Sequence, residues 1–495
     1  MAIFKTLTTV ALLSSVTRSH PTGTSHDGLL VHTDAFAVQG VLWPNNTGVS
    51  FWGSIPYAEP PIGDLRFRPP VTKRPSNKTI DGSWFGPSCI QYSNGQKTVY
   101  SEYLKGFLLT PGQQQSEDCL TLNVWAPTKK RAAEKLPVMI WIHGGGFTSG
   151  GSASPYKYGD KLAKDQNVIV VAMNYRLNIF GYPNAAALDS RNLNPGLLDH
   201  RKAVEWVYNN VQAFGGDPDR MILFGQSAGG MAVDKYAYAY PEDPIVKGFV
   251  AQSGTASSGS SNDPTNSNFT YLASQVGCTS GNKDEVFSCM QKANATAIIE
   301  VLNKYNASAN GGKSLSFNPS PDNVTQFSNY TDRQLRGRFA KLPTLLSQVD
   351  NEGASLVAYV PTGPNQTAVD AFTRNIATCP DAQGALARKN YNVPVWRARY
   401  FGEWPNLNPL PWLHAYHSSD IPMVFGTSDF LGPNTPTESA TSKYMQDAWA
   451  AFARDPEHGL AWPKYDPDAN TLVKLGFENN TQAVYGRGDE FDALC

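Results

Sequence analysis

The sequence predicts an α/β fold, a large and mostly parallel central sheet flanked by helices, on two observations. Short uninterrupted apolar runs, among them 136–143 (LPVMIWIH) and 167–174 (NVIVVAMN), alternate with helix-compatible stretches. Such a run suits a strand buried on both faces, as in a parallel sheet covered by helices. The second observation is a third apolar strand, 221–224, that enters Gly225-Gln226-Ser227-Ala228-Gly229 and leaves into a helix-compatible segment. A serine is thereby set on a sharp strand-to-helix turn, with glycines where side chains would collide.

The remaining elements follow in chain order. The first residues read as a secretory leader: Lys5 is the positive start, 7–16 a short apolar core, and Thr17-Arg18-Ser19 the exit. The core is too short to span a bilayer, which gives a leader over 1–19 and a mature chain over 20–495. No later segment reaches the ~18 apolar residues of a membrane helix, so a secreted protein without a stable membrane anchor is expected. Segments near 36–41 and 121–126 read as antiparallel edge strands, 202–214 as a helix, and 245–252 as a further strand. From about 255 to 338 the chain is rich in Ser, Asn, Thr and Gly and holds five of its nine Asn-x-Ser/Thr sites. That composition predicts an insertion of helices and loops on the surface of one domain. Strands resume at 342–349 and 395–401; a helix over 442–454 and a strand pair at 470–477 and 483–485 close the chain.

Charge narrows the function. Lys and Arg number 41 against 42 Asp and Glu, which leaves no electrostatic footprint for nucleic acid. Six cysteines without a C-x-x-C pattern point to disulfides rather than zinc or thioredoxin-type chemistry. The sequons agree with export and glycosylation.

Ser227 is the candidate nucleophile, and it requires an anion trap and a base. His143-Gly144-Gly145-Gly146-Phe147 directly follows an apolar strand. Successive glycines let backbone N–H groups converge where an oxyanion develops, so Gly145, Gly146 and Ala228 are the candidate donors. In this architecture the acid and then the histidine follow the serine. His414, His417 and His458 are the late histidines, and His417 opens a polar turn ahead of an apolar stretch. His414 and His417 form a His-x-x-His pair, but no further ligand has matching spacing, and neither a metal nor a cofactor is expected. Asp350 and Glu352 both follow a strand between serine and histidine. Spacing alone leaves the two carboxylates open.

Several stretches together resemble the type-B carboxylesterase/lipase family, which includes the cholinesterases. They are 214–229 (FGGDPDRMILFGQSAG), 117–127 (EDCLTLNVWAP), 52–70 (WGSIPYAEPPIGDLRFRPP), WIHGGGF, VDNEG and the segment from His417 to Gly426. The resemblance implies an α/β-hydrolase fold and hydrolysis of a small-molecule or lipid ester through an acyl-enzyme. Its residues would be Ser227 as nucleophile, Glu352 as acid, His417 as base, and Gly145, Gly146 and Ala228 as the oxyanion hole. It also implies the disulfides Cys89–Cys119 and Cys278–Cys289, with Cys379 and Cys495 left to pair. Two departures bear on substrate. Gln226 stands where the family usually has glutamate, and the loop between Cys89 and Cys119 lacks the tryptophan by which cholinesterases bind a cation. Choline esters are therefore not expected. An interfacial lipase with that loop as lid (103–109 its apolar face) and a non-catalytic binding protein of the same fold are the rival readings.

Overall fold

Strands form where the apolar runs demand burial on both faces. The computed structural model describes residues 25–44, 46–93, 95–128, 135–259, 263–307, 309 and 313–495; the leader read over 1–19 lies outside them. The strands are β1 (Ser25–His32), β2 (Ala37–Trp43), β3 (Asn46–Pro56), β4 (Thr79–Asp81), β5 (Ser88–Cys89), β6 (Gln115–Ser116), β7 (Thr121–Pro127) and β8 (Leu136–Ile142). They continue with β9 (Ile169–Met173), β10 (Gly216–Gln226), β11 (Gly248–Gln252), β12 (Thr344–Val349), β13 (Val395–Tyr400), β14 (Leu472–Leu475) and β15 (Val484–Gly486). The main sheet runs β1-β2-β3-β7-β9-β8-β10-β11-β12-β13-β14-β15, with β4 beside β2. From β9 through β14 every pairing is parallel.

Successive side chains explain why the central runs are apolar throughout. Ile140 and Leu223 enter one core, while their neighbours Trp141 and Phe224 enter the other on the opposite face. Trp141 meets Phe224 edge-on, with ring centroids 4.8 Å apart, and Phe425 caps the pair. Each such buried side chain contributes roughly 1.5–3 kcal/mol. A polar residue anywhere in these strands would lose that without gaining a water-facing side.

The two segments read as antiparallel edge strands, β2 and β7, do lie on the antiparallel side of the sheet, but β2 sits between β1 and β3 and β7 is not at the rim either. It lies between β3 and β9 and is antiparallel to both. The C-terminal helix is longer than its apolar pattern shows, Pro436–Arg454 instead of 442–454. Thr435 accepts from the Glu438 N–H and Glu438 reaches back to the Thr435 N–H. This capping box, with Pro436 at the first helical position, makes Thr-Pro-Thr-Glu a helix start where composition suggests a loop. Likewise the helix expected over 202–214 begins at Pro195 and ends at Asn210, followed by a short 3-10 turn, Val211–Phe214.

Within 255–338 the described residues form the helices Ser267–Gln275, Lys283–Lys292, Ala295–Lys304 and Tyr330–Leu335. The apolar faces of the first three share a small core with Phe67 and Phe180, while Tyr330 of the fourth packs with Tyr238 and Phe339 in a separate cluster. Arg66 ties this layer to the Cys89–Cys119 loop, binding Glu117 through two bonds of 2.6 Å and donating to the carbonyls of Met290 and Ala293. All six cysteines are paired, as Cys89–Cys119, Cys278–Cys289 and Cys379–Cys495. His143, Ser227 and Glu352 each follow the C-terminal end of a parallel strand, β8, β10 and β12. Open α/β sheets present their sites at that end.

Candidate active site

Ser227 occupies the turn between β10 and the helix Ala228–Ala239, with φ 60° and ψ −126°. Positive φ in a serine is a strained conformation, held here because the surroundings fix both sides of the residue. Its N–H donates to the Gln252 carbonyl at 2.8 Å and its carbonyl accepts from the Met231 N–H at 2.8 Å. A Cβ on Gly229 would stand 2.1 Å from the Ile142 carbonyl oxygen. Only glycine lets the elbow helix sit that close to β8.

The glycine loop passes against the same serine: a Cβ on Gly144 would be 2.9 Å from Ser227 Cβ. Gly145 and Gly146 have φ of 116° and 62°, and the Gly145 carbonyl is turned to the N–H groups of Thr148 and Ser149, both at 3.0 Å. The Ala228 N–H begins a helix, so no carbonyl of its own helix can accept it.

His417 and Glu352 meet on the buried side of this turn. His417 Nδ1 donates to Glu352 Oε2, while Glu352 Oε1 accepts from the Val349 N–H at 2.9 Å. Glu352 is 0% and His417 4% exposed. The other ring nitrogen, His417 Nε2, lies 3.0 Å from Nε2 of Gln226, the residue just before Ser227. Asp350, the rival carboxylate, turns away and accepts from Arg399 Nε at 2.8 Å.

The rival histidines have other environments. His414 is half exposed and pairs with Glu403 at 3.1 Å, so the His-x-x-His pair does not converge. His143 stacks on Tyr175 with ring centroids 4.4 Å apart; burial first, and then the nearby Lys157 charge, push its imidazole well below the usual range. Burial likewise pushes His200 down to about 3.

These residues sit in a chain that matches the carboxylesterase family model over 28–368 and 361–491. The chain belongs to the carboxylesterase family. Among its relatives is a chlorogenic acid esterase from Aspergillus niger, 40% identical over 95% of each chain. A secreted lipase from Gibberella zeae is 38% identical over 87% of each chain. A para-nitrobenzyl esterase from Bacillus subtilis is 29% identical over 87% of this chain and 92% of its own. The protein is a carboxylic ester hydrolase with the α/β-hydrolase fold.

Three further polar residues of this esterase escape a reading of motifs. Tyr100, from the Cys89–Cys119 loop, donates to the His417 carbonyl at 2.6 Å and lies 3.0 Å from Ser355 Oγ. Asp420 accepts from Gln252 Nε2 at 2.8 Å; burial above all pushes its carboxyl up to about 7. An acid three residues after His417 is the only sequence signal for it. Lys157 is 2% exposed, its Nζ donates to the Tyr156 hydroxyl at 3.4 Å, and burial lowers its ammonium to about 7. No sequence pattern marks it.

Lys157 makes stability depend on pH in a definite direction. Its folded-state value lies below the ~10.4 of an unfolded lysine, so between the two the unfolded chain binds more protons and stability rises with pH. Below about pH 7 the folded protein carries the full cost of a buried ammonium. Lys157→Met is therefore expected to raise Tm by roughly 2 °C or more at about pH 6, with the gain shrinking toward about pH 10. Thermal unfolding of both proteins at the two pH values checks this. A variant less stable at the lower pH would contradict it.

Proposed function

We propose that this esterase is a secreted serine hydrolase that works through an acyl-enzyme, with Ser227 as nucleophile, His417 as base and Glu352 as the acid that orients it. The single observation that carries the reading is the buried Glu352–His417 bond, with the other ring nitrogen facing Gln226, the residue next to Ser227. Glu352 fixes the proton on Nδ1 and leaves Nε2 to take the Ser227 hydroxyl proton as Oγ attacks the ester carbonyl. The N–H groups of Gly145, Gly146 and Ala228 hold the oxyanion, each worth ~2.7–4 kcal/mol of transition-state stabilisation. The imidazolium then gives its proton to the leaving alcohol, and water releases the acid by the same route.

Secretion is supported by the leader-like first residues, the three disulfides and the likeness to a secreted lipase. The exposed sequon residues Asn294, Asn329 and Asn365 each cap a helix through the side-chain oxygen. The amide nitrogen, which a glycan would take, is not the capping atom.

Aromatic rings gather around the site. Phe107 packs on Tyr156 at 4.7 Å, on Phe430 at 5.2 Å and on Tyr416 at 6.0 Å. The Cys89–Cys119 loop is thus pinned at Phe107 and at Tyr100, which favours a preformed esterase pocket over a mobile lid. Tyr103 and Leu108 of the same loop are exposed, which together with the likeness to a secreted lipase supports the interfacial reading. The relative named for chlorogenic acid makes that ester the first to assay.

The test is a fluorophosphonate probe on the folded protein, followed by peptide mass analysis, with rates on chlorogenic acid and on tributyrin across its solubility limit. One adduct, on Ser227, and no jump in tributyrin rate are expected. Absence of labelling would return the non-catalytic reading, and a jump would return the lipase.

A further inference from the structure

Gln226 presents its side-chain amide to the imidazole of the proposed base. It is 1% exposed, and its Nε2 is 3.0 Å from His417 Nε2. Glu352, an acceptor, holds the proton of the ring on Nδ1, so Nε2 carries a lone pair and the Gln226 N–H donates to it. The same lone pair must take the Ser227 proton. We propose, on the reading of the triad given above, that Gln226 is a positioning residue whose uncharged amide holds the resting imidazole and keeps the esterase active at acidic pH.

The argument is one of donors and charge. An amide has an N–H side for a neutral ring and a C=O side for a protonated one, so by turning over it serves both states. A carboxylate at this position could only accept. It would pair with the imidazolium, and a protonated ring cannot take the proton of Ser227.

The titratable groups that face His417 show why a charge here would count. Glu352 binds it from the turn after β12, Asp420 acts on it from its own segment, and Tyr100 donates to its carbonyl from the Cys89–Cys119 loop. Glu352 is in turn within the electrostatic reach of Asp381 and Arg399. Asp420, held up to about 7 by burial, is neutral under acidic conditions. Among the described residues Glu352 then stands alone as the carboxylate at the ring, and a second one at 226 would hold the proton on it.

The experiment compares kcat/KM against pH for wild type, Gln226→Glu and Gln226→Met, with a soluble chromogenic ester read at its isosbestic wavelength and near-ultraviolet circular dichroism as the folding control. Gln226→Glu is expected to move the midpoint of the acid limb up by about one pH unit, so that activity well below it drops about tenfold relative to the plateau. Gln226→Met, without charge or donor, is expected to move it by less than about half a unit. An acid limb that stays in place in Gln226→Glu, or moves as far in Gln226→Met, overturns the proposal.

Should the buried glutamate prevent folding, ¹⁵N-histidine spectra decide between wild type and Gln226→Met. The His417 Nε2 resonance is expected to shift toward that of a free lone pair in the variant, and an unchanged resonance overturns the contact. A fully active Ser227→Ala would instead sink the triad itself, an outcome separate from any change in the acid limb.

Discussion

Ser227→Ala is expected to lower kcat/KM on a soluble ester by a factor on the order of 10⁴–10⁶, with no loss of fold. The hydroxyl is the only group lost. The backbone that creates the elbow is fixed by the Gln252 carbonyl and the Met231 N–H, neither of which touches the side chain. A residual rate would come from the proposed oxyanion donors and from binding, which the variant keeps. Rates together with near-ultraviolet circular dichroism check this. A folded variant within tenfold of wild type would remove Ser227 from the chemistry.

The second large effect is expected at Glu352. Glu352→Gln keeps the shape of the side chain but can present its N–H to His417 Nδ1 and so favour the wrong tautomer; the analogous change in a serine triad costs about 10⁴ in kcat. Asp350→Asn is the control. Asp350 answers to Arg399 on β13, is about a third exposed, and is expected to change kcat less than tenfold. Equal losses at the two positions would mean that the turn after β12 matters only as structure.

These two carboxylates show what the residues alone could and could not disclose. The elbow and the glycine loop were legible because their chemistry is local: each needs glycines at fixed offsets from an apolar strand. His417 followed by elimination among the late histidines. Asp350 and Glu352, two residues apart in one turn, differ only in which way the chain aims them. That direction is set by distant partners, the Val349 N–H and His417 for one and Arg399 for the other. Spacing carries no such information, and only the likeness to a family favoured Glu352.

The fold shows the same division. Runs such as 136–143 and 167–174 announced their strands because both faces of the sheet are covered. The interior position of β7 depends on which strands pair, a long-range matter that apolar pattern does not encode. The start of the last helix is hidden from the apolar pattern for the opposite reason: its signal, Thr435 with Glu438, is local but polar, and it lies outside the apolar periodicity. Gln226 was visible as a departure from the family, yet its contact with the imidazole depends on how the turn after β10 orients the side chain.

If Ser227, Glu352 and His417 act as one device, their losses should not multiply. The decisive measurement is the turnover of a variant carrying Ser227→Ala, Glu352→Gln and His417→Ala together, set beside Ser227→Ala alone. The two should share one residual rate within a few-fold, because no single member has a task once its partners are gone. A combined variant slower by the product of the three separate factors would mean that the residues work independently and that no triad exists.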